Sequence, residues 1–179
     1  TTAFTGKSSL IDFLLQTEHI KKYGQYDRDG EYFETHLLNK RKVVLDGSNV
    51  AYGNEHGKDA VPYIANILKV TDELSKKGFA ELTVISDASL RHKLKDKDIL
   101  DKLKKAVEYI EAPAGTAADL FIIHYVKQHH CLLVSNDTFR EWKYQDAWVA
   151  ENIDYYRLSF IINGNTVLMP DLDKTKSSL

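Results

Sequence analysis

Short apolar runs alternate with longer amphipathic stretches from residue 42 onward. The run Val43–Leu45 is continuous and stops at a polar Asp-Gly pair, which is typical of a strand covered on both faces. In the stretches between such runs, apolar residues recur at helical spacing. This alternation predicts an α/β fold in which a mostly parallel sheet is flanked by helices. The predicted strands cover 42–46, 80–87, 107–113, 131–137, 154–164 and 165–170, and the predicted helices cover 59–78, 95–106 and 116–130.

The first 40 residues have a different pattern. Residues 8–22 begin with serines and place apolar residues near one face, which predicts a capped helix. The polar, glycine-punctuated stretch 23–42 is interpreted as a connector with room for a short helix. We therefore divide the chain into a helical N-terminal extension (1–40), one α/β domain (41–170) and a C-terminal tail (171–179).

Composition and charge narrow the class of protein. With 179 residues, 43% of them hydrophobic and 28% charged, the chain is long enough for one domain with a proper core. A formal net charge of −2 excludes a globally basic nucleic-acid binder, so any nucleic-acid partner would be held by a local patch or through metal ions. The single cysteine, Cys131, excludes an internal disulfide framework and suits a reducing compartment. Since the pattern contains neither a membrane span nor a signal peptide, we expect a cytoplasmic protein with no membrane partner.

Acidic residues recur where the predicted strands end. Asp46, Asp87 and Asp137 each close a strand, and parallel strands bring such ends to one edge of a sheet. Asp119 lies in the first turn of the predicted helix 116–130, in register with its apolar face. Each acid alone has a simpler explanation as a turn residue or a helix cap. Together they predict an acidic cluster at one edge.

Such a cluster predicts a bound cation, because neighbouring carboxylates repel one another unless their charge is neutralised. The set has no thiolates or convergent imidazoles, so it favours Mg²⁺ or Mn²⁺ over zinc. A site of this kind activates water for displacement at phosphorus, which indicates phosphodiester hydrolysis. Asn49, on the turn after Asp46, is a candidate for orienting the site, and Ser135 is a candidate for the same role or for a substrate contact.

Three motifs carry a resemblance to a known family: "VVLDGSNVAYG" (43–53), "GTAADLFIIHYV" (115–126) and "LLVSNDTFREW" (132–142). In this order they resemble the NYN branch of the PIN-like nucleases, especially the Regnase-type endoribonucleases. The resemblance implies a PIN-like three-layer sandwich and Mg²⁺-dependent cleavage of single-stranded RNA. Carried over by position, it implicates Asp46, Asn49, Asp119 and Asp137 in catalysis, with Arg140 after the last strand. Regnase-type enzymes have two adjacent aspartates where this chain has Ala118-Asp119, and Asp87 is a candidate for the missing metal ligand.

Basic and aromatic residues near these acids are candidate RNA contacts. Arg91 and Lys93 follow Asp87, although a solvated helix face also explains them. Arg140 and Lys143 follow Asp137 and are better placed to hold phosphates. Three aromatic residues could either stack on bases or belong to the core, and these are Trp142, Tyr144 and Trp148.

Two other functions stay open at this stage. The fold could serve as an RNA-binding or assembly module with weak or no catalysis, and the single aspartate at the helix start favours that alternative. A homodimer that completes the site would compensate for the thin set of acids. A sheet-edge aspartyl phosphotransferase or receiver is a third class, but Asp46 lacks the D-x-D spacing of such phosphatases.

Overall fold

The computed structural model of the protein describes residues 24–26, 32–34, 42–55, 57 and 59–173. At its centre lies a sheet of five parallel strands: β3 (Lys42–Asp46), β4 (Glu81–Ser86), β5 (Glu108–Glu111), β6 (Leu132–Val134) and β7 (Arg157–Leu158). Their order across the sheet is β5-β4-β3-β6-β7. The parallel α/β fold predicted from the alternating pattern is confirmed.

Helices cover both faces of this sheet. Strand β3 shows the two layers directly, since Val43 and Leu45 pack into one apolar cluster and Val44 into the other, all at 0% exposure. The described helices are α1 (Gly47–Tyr52), α2 (Ile64–Lys76), α3 (Leu90–Lys93), α4 (Leu100–Ala106), α5 (Ala118–His129), α6 (Arg140–Gln145), α7 (Ala147–Tyr156) and α8 (Pro170–Asp173). Apolar side chains of α1, α2 and α4 belong to the first cluster, and those of α5 and α7 to the second. Among the described helices, none combines the length and apolar character needed to cross a membrane.

Two short antiparallel pairs accompany the central sheet. Strands β8 (Ile161–Asn163) and β9 (Thr166–Leu168) form the closing pair that the sequence predicts. Strands β1 (Gly24–Tyr26) and β2 (Tyr32–Glu34) pair within the stretch that we interpreted as a connector with a short helix. The helix predicted over 8–22 and part of the tail 171–179 lie outside the described residues.

Several predicted boundaries were wrong, and long-range contacts explain the main ones. Helix α2 begins at Ile64 rather than at residue 59, because the Asp96 carboxylate accepts the backbone N–H groups of Ile64 (2.7 Å) and Ala65 (2.8 Å). A cap supplied from so far along the chain leaves no local signal. Residues 154–156 continue α7 instead of starting a strand, since the buried positions Val149 and Ile153 keep helical spacing into this turn. Within 95–106, a 3₁₀ turn over Lys97–Ile99 precedes α4.

Candidate active site

The strand order changes direction between β3 and β6. From β3 the chain adds β4 and then β5 on one side, and it later returns to add β6 and β7 on the other. In open α/β sheets, ligands bind beyond the carboxyl ends of the strands at such a switch point. Asp46 is the last residue of β3, and Ser135 follows β6 directly. The predicted acidic edge therefore coincides with the place that the topology favours for binding.

Asp46 is a buried acid held by two donors. It caps α1, where its Oδ1 accepts the backbone N–H of Asn49 at 3.1 Å. Its Oδ2 accepts the Ser135 hydroxyl at 2.8 Å, and the residue is only 5% exposed. Burial, followed by the negative charges of Asp119 and Asp137, raises the pKa of Asp46 to about 7 despite these two hydrogen bonds. The carboxylates of Asp119 and Asp137 therefore act on the charge of Asp46.

Gly47 explains why a glycine follows this acid. A Cβ at Gly47 would lie 2.7 Å from Val84 Cγ1 and 2.9 Å from the Ile85 carbonyl oxygen, both on β4. The start of α1 therefore touches β4 as closely as a backbone can. The next residue, Ser48, donates its hydroxyl to Asp87 Oδ2 at 2.8 Å and accepts the Asp87 N–H at 3.1 Å. This close approach and the paired hydrogen bonds tie the end of β4 to the start of α1.

The loop after β6 is fixed by short polar contacts. The backbone N–H of Asn136 donates to Asn49 Oδ1 at 2.8 Å, and the N–H of Asp137 donates to the Ser135 hydroxyl at 3.1 Å. Asp137 Oδ1 in turn accepts the N–H of Phe139 at 2.8 Å. Phe139 has a φ of 52° with its side chain buried, a backbone strain that often marks functional sites.

The structure corrects the predicted positions of two residues near this loop, Asn49 and Ser135. Asn49 lies inside α1 rather than on a turn, and its side chain orients the loop through Asn136. Ser135 does not lie where a predicted substrate contact would, because it is 0% exposed and its hydroxyl is engaged by Asp46 and the Asp137 backbone. Its place is therefore inside the protein, where it joins two of the acids.

Asp119 approaches the same cluster from α5. It lies in the first turn of that helix and is half-buried, and the Trp142 indole N–H donates to its Oδ2 at 3.2 Å. Burial is the main cause that raises the pKa of Asp119 above its usual value. The next causes are three negative charges, from Asp137, Asp87 and Glu141. The structure thus connects all four predicted acids electrostatically.

Glu141 is an acid that the sequence interpretation missed. It lies in the first turn of α6, and its charge acts on Asp119. The available signal was its position four residues after Asp137, just past a strand end. That signal was weak, because nothing in the local pattern predicted that α6 would turn back toward α5.

A comparison with family models decides the classification. Residues 39–178 match the model described as "Zc3h12a-like Ribonuclease NYN domain". The chain belongs to this NYN ribonuclease family. The match covers the three motifs on which the resemblance rested, and it confirms the assignment made from them.

Individual relatives of this NYN chain are distant. An uncharacterized protein of Methanocaldococcus jannaschii, MJ1085, is 24% identical over 169 residues, which are 93% of this chain and 32% of that protein. Two solved structures of Arabidopsis thaliana nuclear protein-only RNase P 2 (PRORP2) superpose with TM-scores of 0.58 and 0.55, at 13% and 14% identity. Each covers 71% of this chain and 29% of the other. These structures share the fold, and the chain spans about a third of the length of each relative.

The family resemblance implies Mg²⁺ or Mn²⁺, and the acidic edge offers the oxygen ligands that such an ion requires. Over the described residues, no three His, Cys, Asp or Glu side chains stand close enough together to form a ready-made metal cage. Mg²⁺ usually keeps several waters and takes only one or two carboxylates, so it does not need such a cage. The buried charge of Asp46, beside Asp119 and Asp137, is the kind that a cation stabilises. The residues present therefore fit this ion.

The candidate RNA contacts lie on two sides of the acids. On the α3 side, a cavity of about 320 Å³ is lined by Asp87, Arg91 and His92 together with the loop 113–116. Arg91 is exposed and pairs with Glu111 at 3.5 Å, and Lys93 is exposed on the same short helix. The residues on the α6 side are Arg140, which is exposed, and Lys143, which pairs with Asp154 at 2.7 Å.

Proposed function

We propose that this NYN domain is a metal-dependent endoribonuclease that hydrolyses phosphodiester bonds of single-stranded RNA. The observation that carries the proposal is the buried Asp46 at the sheet switch point, with a pKa raised to about 7 beside Asp119 and Asp137. A protein gains no stability from a buried carboxylate beside two others, whereas a cation site requires one. Membership of a ribonuclease family supports RNA as the substrate.

Each acid has a separate role in this proposal. Asp46, Asp119 and Asp137 would hold Mg²⁺ or Mn²⁺, one or two of them directly and the rest through the waters that the ion keeps, with Asp87 and Glu141 adding negative charge around them. When bound, the ion would activate water and stabilise charge on the phosphate that is attacked. Asn49 orients the loop that carries Asp137, through the Asn136 N–H at 2.8 Å. Ser135 holds Asp46 Oδ2 in place, so this carboxylate is already oriented before substrate arrives.

Basic residues would hold the RNA backbone beside the acids. Arg91 lines the cavity next to Asp87 and Lys93 lies on the same short helix, whereas Arg140 and Lys143 lie on α6. Since the chain carries a net charge of −2, these local cations would offset the repulsion between RNA and the acidic edge. The phosphodiester to be cleaved would then lie between the two basic groups.

The test is cleavage of a labelled single-stranded RNA by the wild type with Mg²⁺, Mn²⁺ or EDTA. Asp46→Asn and Asp137→Asn keep the side-chain shape and remove the charge, so each should lower kcat about 100-fold or more. Asp101→Asn, on the exposed face of α4, is the matched control and should leave cleavage unchanged.

The outcomes separate the two function classes. Cation-dependent cleavage that both site variants lose, and that the control keeps, supports the nuclease. Wild-type protein that retains RNA but never cleaves it would instead support the RNA-binding module. Cleavage that persists in both site variants would show that these acids do not carry the chemistry.

A further inference from the structure

Trp142 links the two helices that carry acids of the site. It lies on α6, and its half-buried ring packs against the apolar cluster on the α5 side of the sheet. Its indole N–H donates to Asp119 Oδ2, on α5, at 3.2 Å. An indole has one polar hydrogen, and here it is used on a carboxylate of the acidic cluster.

The orientation of the Asp119 carboxylate depends on the Trp142 indole N–H. The N-cap of α5 is Ala117, which offers no side-chain cap, and burial together with neighbouring acids opposes the negative charge of Asp119. Among the residues that the structure describes, the Trp142 indole is the one hydrogen-bond donor to the Asp119 carboxylate. A carboxylate with one donor keeps a defined orientation only while that donor is present.

We infer that Trp142 is a positioning residue that orients the Asp119 carboxylate for cation binding. The inference rests on the proposed function, because it assigns Trp142 a role at the same metal site. Trp142 acts through Asp119 and does not touch the RNA. Partners of this kind, which orient a metal ligand, typically change metal affinity or activity 10–100-fold when they are removed.

Base stacking is the competing role for this side chain, and the surroundings argue against it. A stacking residue presents an open ring face, as does Tyr144 at 79% exposure two residues later. The Trp142 ring instead packs against the core, and its polar edge meets Asp119. Stacking would lower RNA affinity, whereas positioning would lower cation affinity and kcat.

The experiment compares Trp142→Phe with Trp148→Phe, which makes the same chemical change on α7. Trp148 is also half-buried, but its ring lies against Tyr156 with centroids 5.5 Å apart and beneath the Lys127 ammonium. Mn²⁺ binding is measured from the electron-paramagnetic-resonance signal of free Mn²⁺, and RNA cleavage supplies kcat and KM. We expect Trp142→Phe to weaken Mn²⁺ binding about tenfold and to lower kcat, with KM unchanged. Trp148→Phe should match the wild type.

A double-mutant cycle separates positioning from general packing. In an Asp119→Asn background, Trp142→Phe should weaken Mn²⁺ binding by less than about twofold, since its effect runs through the missing carboxylate. A purely structural effect would persist in that background. Equal Mn²⁺ affinity in wild type and Trp142→Phe, or a raised KM alone, would overturn the inference.

A second measurement does not require Trp142 to be replaced. In Trp148→Phe, Trp142 is the only tryptophan left of the two in the chain, so indole excitation should sensitise emission from bound Tb³⁺. Asp119→Asn added to this variant should abolish the emission. If Tb³⁺ gives no emission and Mn²⁺ does not bind the wild type, the metal site of the proposed function fails together with the inference. If Mn²⁺ binds and RNA is cleaved, but Tb³⁺ gives no emission, only the inference fails.

Discussion

Asp46→Asn should make the metal-free protein more stable at neutral and alkaline pH. The wild-type carboxylate is 5% exposed, and its pKa is raised from 3.8 to about 7. A difference of roughly 3 pKa units, at about 1.4 kcal/mol each, corresponds to about 4 kcal/mol of folding free energy. Asparagine has nearly the same shape, keeps an oxygen for the Asn49 N–H and never ionises.

The direction in which the stability of the wild type changes with pH follows from the protonation of Asp46 in the folded and unfolded states. In the folded protein Asp46 keeps its proton until about pH 7, whereas the unfolded chain releases it near the ordinary value of 3.8. The folded state therefore binds more protons between these limits, and stability falls as pH rises. The contribution of Asp46 is complete below pH 3.8 and is lost as the pH passes 7. Asp46→Asn does not lose this stability. As pH rises, its free energy of unfolding should therefore exceed that of the wild type by an amount that grows from near zero to as much as about 4 kcal/mol.

The assay is urea unfolding, followed by circular dichroism in EDTA, from about pH 4 to about pH 8. The difference in unfolding free energy between Asp46→Asn and the wild type is plotted against pH. Asp101→Asn, an exposed change on α4, should stay within about 0.5 kcal/mol of the wild type throughout. If Asp46→Asn also follows the wild type at a constant offset, the burial argument for Asp46 is wrong.

Two further substitutions test how the site is held. Ser135→Ala leaves a buried Asp46 oxygen and the Asp137 N–H without their partner, so we expect urea unfolding to show a loss of about 2 kcal/mol; an unchanged unfolding midpoint would contradict this. Gly47→Ala places a methyl group 2.9 Å from the Ile85 carbonyl oxygen, which should cost about 1–3 kcal/mol and weaken Mn²⁺ binding. A Gly47→Ala protein as stable as the wild type would show that α1 can move away from β4 freely.

The strand framework and the acidic edge could be predicted from sequence because both depend on local patterns. Val43–Leu45 is apolar without interruption, and this is the pattern of a strand buried between two helical layers. Once the strands are parallel, acids at their ends must face one edge, so Asp46 and Asp137 followed from the fold class alone.

Features fixed by distant residues could not be predicted in this way. Helix α2 starts where Asp96 caps it, and the backbone of Phe160, just before β8, is held by the side chain of Asn136. The Asn136 amide donates to the Phe160 carbonyl oxygen and accepts the Phe160 N–H. The amide thus pairs with the backbone as a neighbouring strand would. Such a pairing depends on tertiary placement, so the sequence around Asn136 shows only a turn.

The start of α5 carries a single aspartate, Asp119, but other elements add negative charge around it. Ala118 stands where Regnase-type enzymes carry the first of two aspartates, and it is buried at 4% exposure. The negative charges that act on Asp119 come first from Asp137 and Asp87 and then from Glu141 on α6. The following residue, Trp142, donates to the same Asp119 carboxylate. One turn of α6 therefore supplies both an extra acid and the donor that orients Asp119. Although Ala118 carries no charge, the acidic cluster therefore gains negative charge from a different helix, and a cation site needs such charge.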